Sequence, residues 1–152
     1  MAIVKGQSDL ISDPATLYSG ADPEIARGRP IVSAGRVTNA ASDSAGSSYH
    51  LVDLPADALL DALTCFKVDT WGFATVSIGT ETDIDALVTV AKSAGATVTP
   101  ITRLGATHQK RLWEILGLAA APKSGVISLY AHGPANATAA GSMLFEIHYR
   151  FR

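Results

Sequence analysis

Met143-Leu144-Phe145-Glu146-Ile147-His148-Tyr149-Arg150-Phe151-Arg152 is the stretch from which the fold can be read. Met143, Phe145, Ile147, Tyr149 and Phe151 alternate with Leu144, Glu146, His148, Arg150 and Arg152. Side chains of an extended chain point to opposite faces in turn, so this period of two predicts a strand with one face buried against a core. Immediately upstream, Val126 to His132 places Ile127, Leu129 and Ala131 on one side. The two runs are expected to form a hairpin around the loop Gly133 to Gly141. Symmetric closure would then pair His132 near Ser142 and His148 near Val126, about 20 Å apart at 3.4 Å per residue.

Shorter runs of the same kind fill the middle of the chain. Tyr49-His50-Leu51-Val52-Asp53-Leu54 is β-prone and stops at Pro55; Leu63 to Asp69 and Ala74 to Ile78, closed by Gly79, follow it. Ala86 to Ala91 and Thr97 to Thr102 read as further strands, with a helix over Asp85 to Ala94, turning Leu87, Val88 and Ala91 inward, as the alternative. Two segments read as short helices: Ala56 to Ala62, and His108 to Leu116, where Leu112, Ile115 and Leu116 share a face and Gly117 supplies the stop. Many short strands separated by Gly and Pro turns predict an all-β chain: a jelly-roll-like β-sandwich with one or two short helices.

The first 46 residues have a different texture. Gly6, Gly20, Gly28, Gly35 and Gly46 alternate with Pro14, Pro23 and Pro30, and no period survives for long. Apolar residues nonetheless recur about every seven positions: Ile3-Val4, Leu10-Ile11, Leu17-Tyr18, Ile25 and Ile31-Val32. A coiled coil would be broken repeatedly by the prolines. An extended N-terminal arm over residues 1–46, leading into a sandwich over residues 47–152, accommodates both features. Anchors seven residues apart on such an arm are spaced roughly 23 Å, enough to reach across a small domain or onto a neighbour. Ile3, Val4, Leu10, Ile11, Leu17 and Tyr18 are the candidate partner-binding anchors; Arg27, Arg29 and Arg36 are placed either to pair with acidic groups on that partner or to keep the arm soluble. The bland alternative is a terminus in which the doublets recur by chance.

At 152 residues the chain fits one domain. Hydrophobic residues make up 47% of it and charged residues 17%, enough apolar material for a core and too little charge for global disorder. A net charge of −2 with scattered basic residues gives no footprint for nucleic acid or for an anionic membrane surface. Lys5, Asp9 and Asp13 interrupt the N-terminus before a signal-peptide core develops. The uncharged stretch Ser124 to Phe145 is broken by Gly125, Gly133, Pro134 and Gly141, so no membrane segment is expected. Cys65 is the sole cysteine, which rules out an intrachain disulfide, favours an intracellular origin and reads most simply as a small buried hydrophobe.

The chemistry-bearing residues assemble into no known motif. No phosphate-binding loop, dinucleotide fingerprint or nucleophile elbow occurs, and no Cys and His stand at zinc spacing. His50, His108, His132 and His148 lack the H-x-H spacing by which one strand face would aim two imidazoles at a metal. Glu81, Asp83 and Asp85 could chelate a hard cation such as calcium, but without an EF-hand pattern a solvated turn is the simpler identity. Trp71, Phe73 and Trp113 read as core before they read as a sugar platform. No cofactor, metal or catalytic residue is expected.

Several of these segments together resemble the head decoration, or cement, proteins of tailed bacteriophages. The similarity lies in a Ser-rich approach to a strand ending in Leu54-Pro55, the Val76-Ser77-Ile78-Gly79 strand end, Leu112-Trp113-Glu114-Ile115-Leu116-Gly117-Leu118 and the final alternating strand. It covers about residues 42–152, and the arm by character alone. The resemblance implies a jelly-roll-like sandwich on the capsid exterior of a virion assembled in the bacterial cytoplasm, commonly a homotrimer, stapling the major capsid protein and neighbouring copies together. It brings no catalytic residues. Other functions compatible with the residues are a tail or head-to-tail connector component, a carbohydrate-binding sandwich using Trp71, Trp113 or Tyr130, and a metal-dependent enzyme around Glu81, Asp83 and Asp85.

Overall fold

The alternation read in the C-terminal stretch is a strand of a two-sheet sandwich in the computed structural model, which describes residues 30–150. In chain order the strands are β1 (Pro30–Asn39), β2 (Ser47–Pro55), β3 (Leu59–Leu60), β4 (Cys65–Lys67), β5 (Thr75–Gly79), β6 (Val88–Ala91), β7 (Thr97–Val98), β8 (Val126–Gly133) and β9 (Gly141–Arg150), with one α-helical turn, α1 (Leu112–Ile115). One sheet has the order β1-β9-β4-β7, with β3 beside the end of β9; the other has the order β2-β8-β5-β6. Every pairing is antiparallel.

The pairings nest. β1 pairs β9, β2 pairs β8, β4 pairs β7 and β5 pairs β6, as in one long hairpin whose tip is the turn between β5 and β6. Rolling that hairpin brings β9 against β4 and β8 against β5, which completes the two sheets. This connectivity is a jelly roll, and it agrees with the fold class expected from the sequence.

The sheets meet through a core of Leu54, Phe66, Val68, Trp71, Phe73, Ile78, Leu112, Leu129, Met143 and Ile147, each under 2% exposed. Burying side chains of this size contributes roughly 1.5–3 kcal/mol apiece. Met143, Phe145, Ile147 and Tyr149 fill one face of β9, and Ile127, Leu129 and Ala131 one face of β8, as their alternation predicts.

Four expectations are corrected. β8 and β9 do not form a hairpin: residues 134–140 carry the chain from one sheet to the other, and Ser142 N–H bonds Thr70 O at 2.9 Å. His132 and His148 therefore belong to different sheets. Residues 30–46, assigned to the arm, lie in the sandwich, because β1 pairs along its whole length with β9. Its inward residues Ile31, Ser33, Gly35 and Val37 include two small ones, so no hydrophobic alternation marked the strand. Gly35 is opposite Phe145, whose ring lies so close that an added Cβ would stand 2.6 Å from it. Ala56 to Ala62 is not a helix but a turn followed by β3. The carbonyls of Ala56 and Ala58 accept the N–H groups of Trp113 (3.2 Å) and Leu112 (2.8 Å), which satisfies the open end of α1. The helix expected over His108 to Leu116 shrinks to the four residues of α1, and the strand reading of Ala86 to Ala91 prevails over the helical alternative. Anchors Ile3, Val4, Leu10, Ile11, Leu17 and Tyr18, with Arg27 and Arg29, lie outside the described residues.

Candidate functional site

Polar side chains converge on the outer face of the β2–β8 sheet. A bulge at Leu51 inserts one residue between the pairs His50↔Tyr130 and Val52↔Leu129. In a regular strand residues three apart face opposite ways; the extra residue restores parity and turns both His50 and Asp53 outward. Across the pairing, His50 stacks on Tyr130 with ring centroids 4.9 Å apart, and Asp53 faces Ser128. Asp53 Oδ1 accepts the Ser128 hydroxyl at 2.5 Å and stands 2.8 Å from His50 Nε2. The Ser128 hydroxyl first, and His50 second, hold the Asp53 carboxyl below the usual carboxylate range.

These are the three residue types of a hydrolase triad in a different order. Nucleophilic catalysis needs the imidazole between serine and carboxylate, so that the hydroxyl proton passes to nitrogen. Here the carboxylate lies between the other two, and Ser128 donates to a group whose depressed pKa makes it a poor base. Sequence reading missed the cluster because a bulge, invisible as a pattern, brings its members together.

The remaining histidines are dispersed. His132 is buried, with Nε2 2.9 Å from Thr80 O; His148 stands 3.2 Å from Glu146 Oε2 on the other sheet; His108 is exposed. Glu81, Asp83 and Asp85 lie exposed in the turn from β5 to β6, where Thr80 Oγ1 accepts Asp83 N–H at 3.0 Å and Thr80 N–H bonds Asp83 O at 2.8 Å. Among the described residues no group of three His, Cys, Asp or Glu side chains is arranged to hold a metal ion. Among the same residues no helix is long and apolar enough to cross a membrane.

Trp71 and Phe73 are fully buried, as expected of core, and Trp113 is half-buried. Cys65, expected inside, is half-buried instead: it shares an outward register with Lys67 while Phe66 between them enters the core. Partial burial, and then the Glu146 charge, push its thiol above the ordinary value, which disfavours the reactive thiolate.

At the end of the sandwich where β9 finishes, Leu59–Leu63, residues 101–104 and 107–110, and Arg150 line an open-sided cavity of about 430 Å³. Two of its lining residues, Leu104 (φ 56°) and Gln109 (φ 58°), hold the left-handed backbone conformation without being glycine. For residues with a Cβ that conformation costs about 1–2 kcal/mol. No protein-family model, curated protein or solved structure matches the chain.

Proposed function

We propose that this chain is a structural virion protein that decorates the outer surface of an icosahedral phage capsid and stabilises it by bridging major capsid subunits, without a catalytic role. The observation that carries the reading is the two-sheet sandwich of the described residues, in which β1, from Pro30, is an edge strand. The sequence before Pro30 holds the apolar anchors Ile3, Val4, Leu10, Ile11, Leu17 and Tyr18. A sandwich that follows an anchor-bearing stretch of sequence suits a module that sits on a lattice and grips neighbouring subunits through grooves or strand edges. The order of segments over residues 42–152, similar to head decoration proteins, adds to this support.

Many such contacts on one shell multiply into a particle-scale effect. A protein that binds the assembled lattice and not its free subunits stabilises the lattice by linkage. The test is quantitative mass spectrometry of purified particles. A copy number near that of the shell subunit supports decoration; a handful of copies points to a tail or connector; absence from particles overturns both. Removing residues 1–20 is expected to leave a folded sandwich that no longer stays on the shell.

A further inference from the structure

The edge strand of an open sheet presents unpaired N–H and C=O groups that can template another strand. Here the edges are β1 and β7 in one sheet and β2 and β6 in the other. Three of them carry the usual protection. β7 has two residues and β6 four, and β2 is bent by its bulge at Leu51 and turns His50 and Asp53 outward. β1 has none of these devices. Its ten residues pair with β9 without a shift in register, its proline stands at the first position, and Arg36 is its single charge.

The cover over β1 is also incomplete. Its inward residues Ile31, Ser33, Gly35 and Val37 are half-buried, whereas Met143, Phe145, Ile147 and Tyr149 on the neighbouring β9 are at most 9% exposed. Ile31 and Val37 pack against the core, and among the described residues no strand lies beyond them. On the outward face Val32 is 51% exposed. An unpaired edge with apolar residues on both faces suits a strand that supplies main-chain hydrogen bonds and further apolar side chains.

We propose that β1 pairs antiparallel with β1 of a second copy across a two-fold axis, joining two β1-β9-β4-β7 sheets into one. The occupant is a second copy because β1 is itself an unprotected edge of the same length, and its charge pattern suits itself. A two-fold contact sets one surface against the same surface, so self-complementarity is the requirement. Facing residues must lie on the same side of the sheet, so odd positions meet odd and even positions meet even. Ala34 opposite Ala34 meets this condition and pairs residues 30–38 with their counterparts. It sets Ile31 against Val37 twice on the inward face and Val32 against Arg36 twice on the outward face. The two Arg36 side chains then stand roughly 14 Å apart along the strands at 3.4 Å per residue. Gly35 opposite Gly35 would halve that separation and set Ile31 against Asn39, which is already buried and bonded to Gly72 N–H. Arg36 opposite Arg36 would oppose like charges directly, which is destabilising.

The pairing does not rest on the decoration reading, which copy number in particles decides separately. Purified full-length chain is followed by sedimentation velocity across the micromolar range, and the expected species is a reversible dimer. Ala34→Lys faces Glu146 within the chain, which suits the fold, but opposes a second lysine at the two-fold axis. It is expected to weaken the dimer by about tenfold or more with an unchanged circular dichroism spectrum. Val32→Glu sets a carboxylate against Arg36 of the second copy at two places and is expected to tighten the dimer roughly threefold at low salt, a gain that misfolding does not produce. A chain that sediments as a monomer throughout or as a trimer, a dimer indifferent to Ala34→Lys, or one that Val32→Glu fails to tighten would each overturn the proposal.

Discussion

The two ends of the sandwich are built on opposite principles. At the end where β1 finishes and β9 begins, long-range hydrogen bonds tie the loops together, although the Trp71 indole N–H is buried there without a partner among the described residues. Asn39, 6% exposed, donates its amide to Ala40 O (3.0 Å) and Ala139 O (2.9 Å) and accepts Gly72 N–H at 3.0 Å, tying three loops together. Beside it Asp43 accepts the Tyr49 hydroxyl at 2.5 Å and Ala40 N–H at 2.8 Å, and Tyr49 packs edge-on against Trp71 at 5.1 Å. At the other end, where β9 finishes, a cavity of about 430 Å³, two left-handed non-glycine residues and orphaned polar atoms stand in place of that network. One end is tied by loop-to-loop hydrogen bonds and glycine-tight packing, and the other holds a cavity and two left-handed residues. Long-range polar ties specify a unique loop arrangement.

The contrast is most easily broken at the locked end. Gly72→Ala drives a Cβ into Ala139 O and the Asn39 amide, where neither can yield without opening the network, so a loss of about 3 kcal/mol is expected in chemical denaturation. Asn39→Ala leaves Gly72 N–H and Ala139 O without their partner, and about 2 kcal/mol should be lost by the same measurement.

Tyr49→Phe sharpens the comparison through pH. Burial, and then the Asp43 hydrogen bond and charge, push the Tyr49 hydroxyl from 10.0 to about 12. As pH rises past 10 the unfolded chain releases this proton and the folded chain keeps it, so stability falls between pH 10 and about 12. The phenylalanine variant should lose about 1 kcal/mol at neutral pH and lack this part of the alkaline decline. Asp43 works in the opposite sense: its carboxyl is held below 3.8 by the Tyr49 hydroxyl and then by Ala40 N–H, so its contribution is present above the ordinary value and lost as pH falls through the folded one.

The smallest effect belongs to the cavity end. Leu104→Gly relieves a left-handed residue whose side chain is 78% exposed, and the relief offsets the extra freedom glycine gives the unfolded chain. A change within about 0.5 kcal/mol is expected, and a loss as large as that of Asn39→Ala would show that this end, too, is structurally locked.

How much of this was legible in sequence follows from the range of the forces involved. β9, β8 and β5 were readable because a half-buried strand writes its burial as alternation or as an apolar run, and Trp71 and Phe73 were readable as core because large aromatics are costly to expose. β1 was not readable: its inward residues are small because Phe145, 110 positions away, covers Gly35. No local pattern records a partner so distant. The same holds for the His50, Asp53 and Ser128 cluster, which depends on a one-residue bulge in β2 and on its register with β8. The cavity depends on which end of β9 meets residues 101–110. By itself the sequence determined that the chain is mostly β and that Trp71 and Phe73 belong to its core, since hydrophobic period and turn chemistry act over a few residues. The tertiary structure alone decided that the pairings nest into a jelly roll, that β8 and β9 lie in different sheets and that Pro30–Asn39 belongs to the sandwich. Strand partners are chosen by packing across the core, after chain segments far apart in sequence have met.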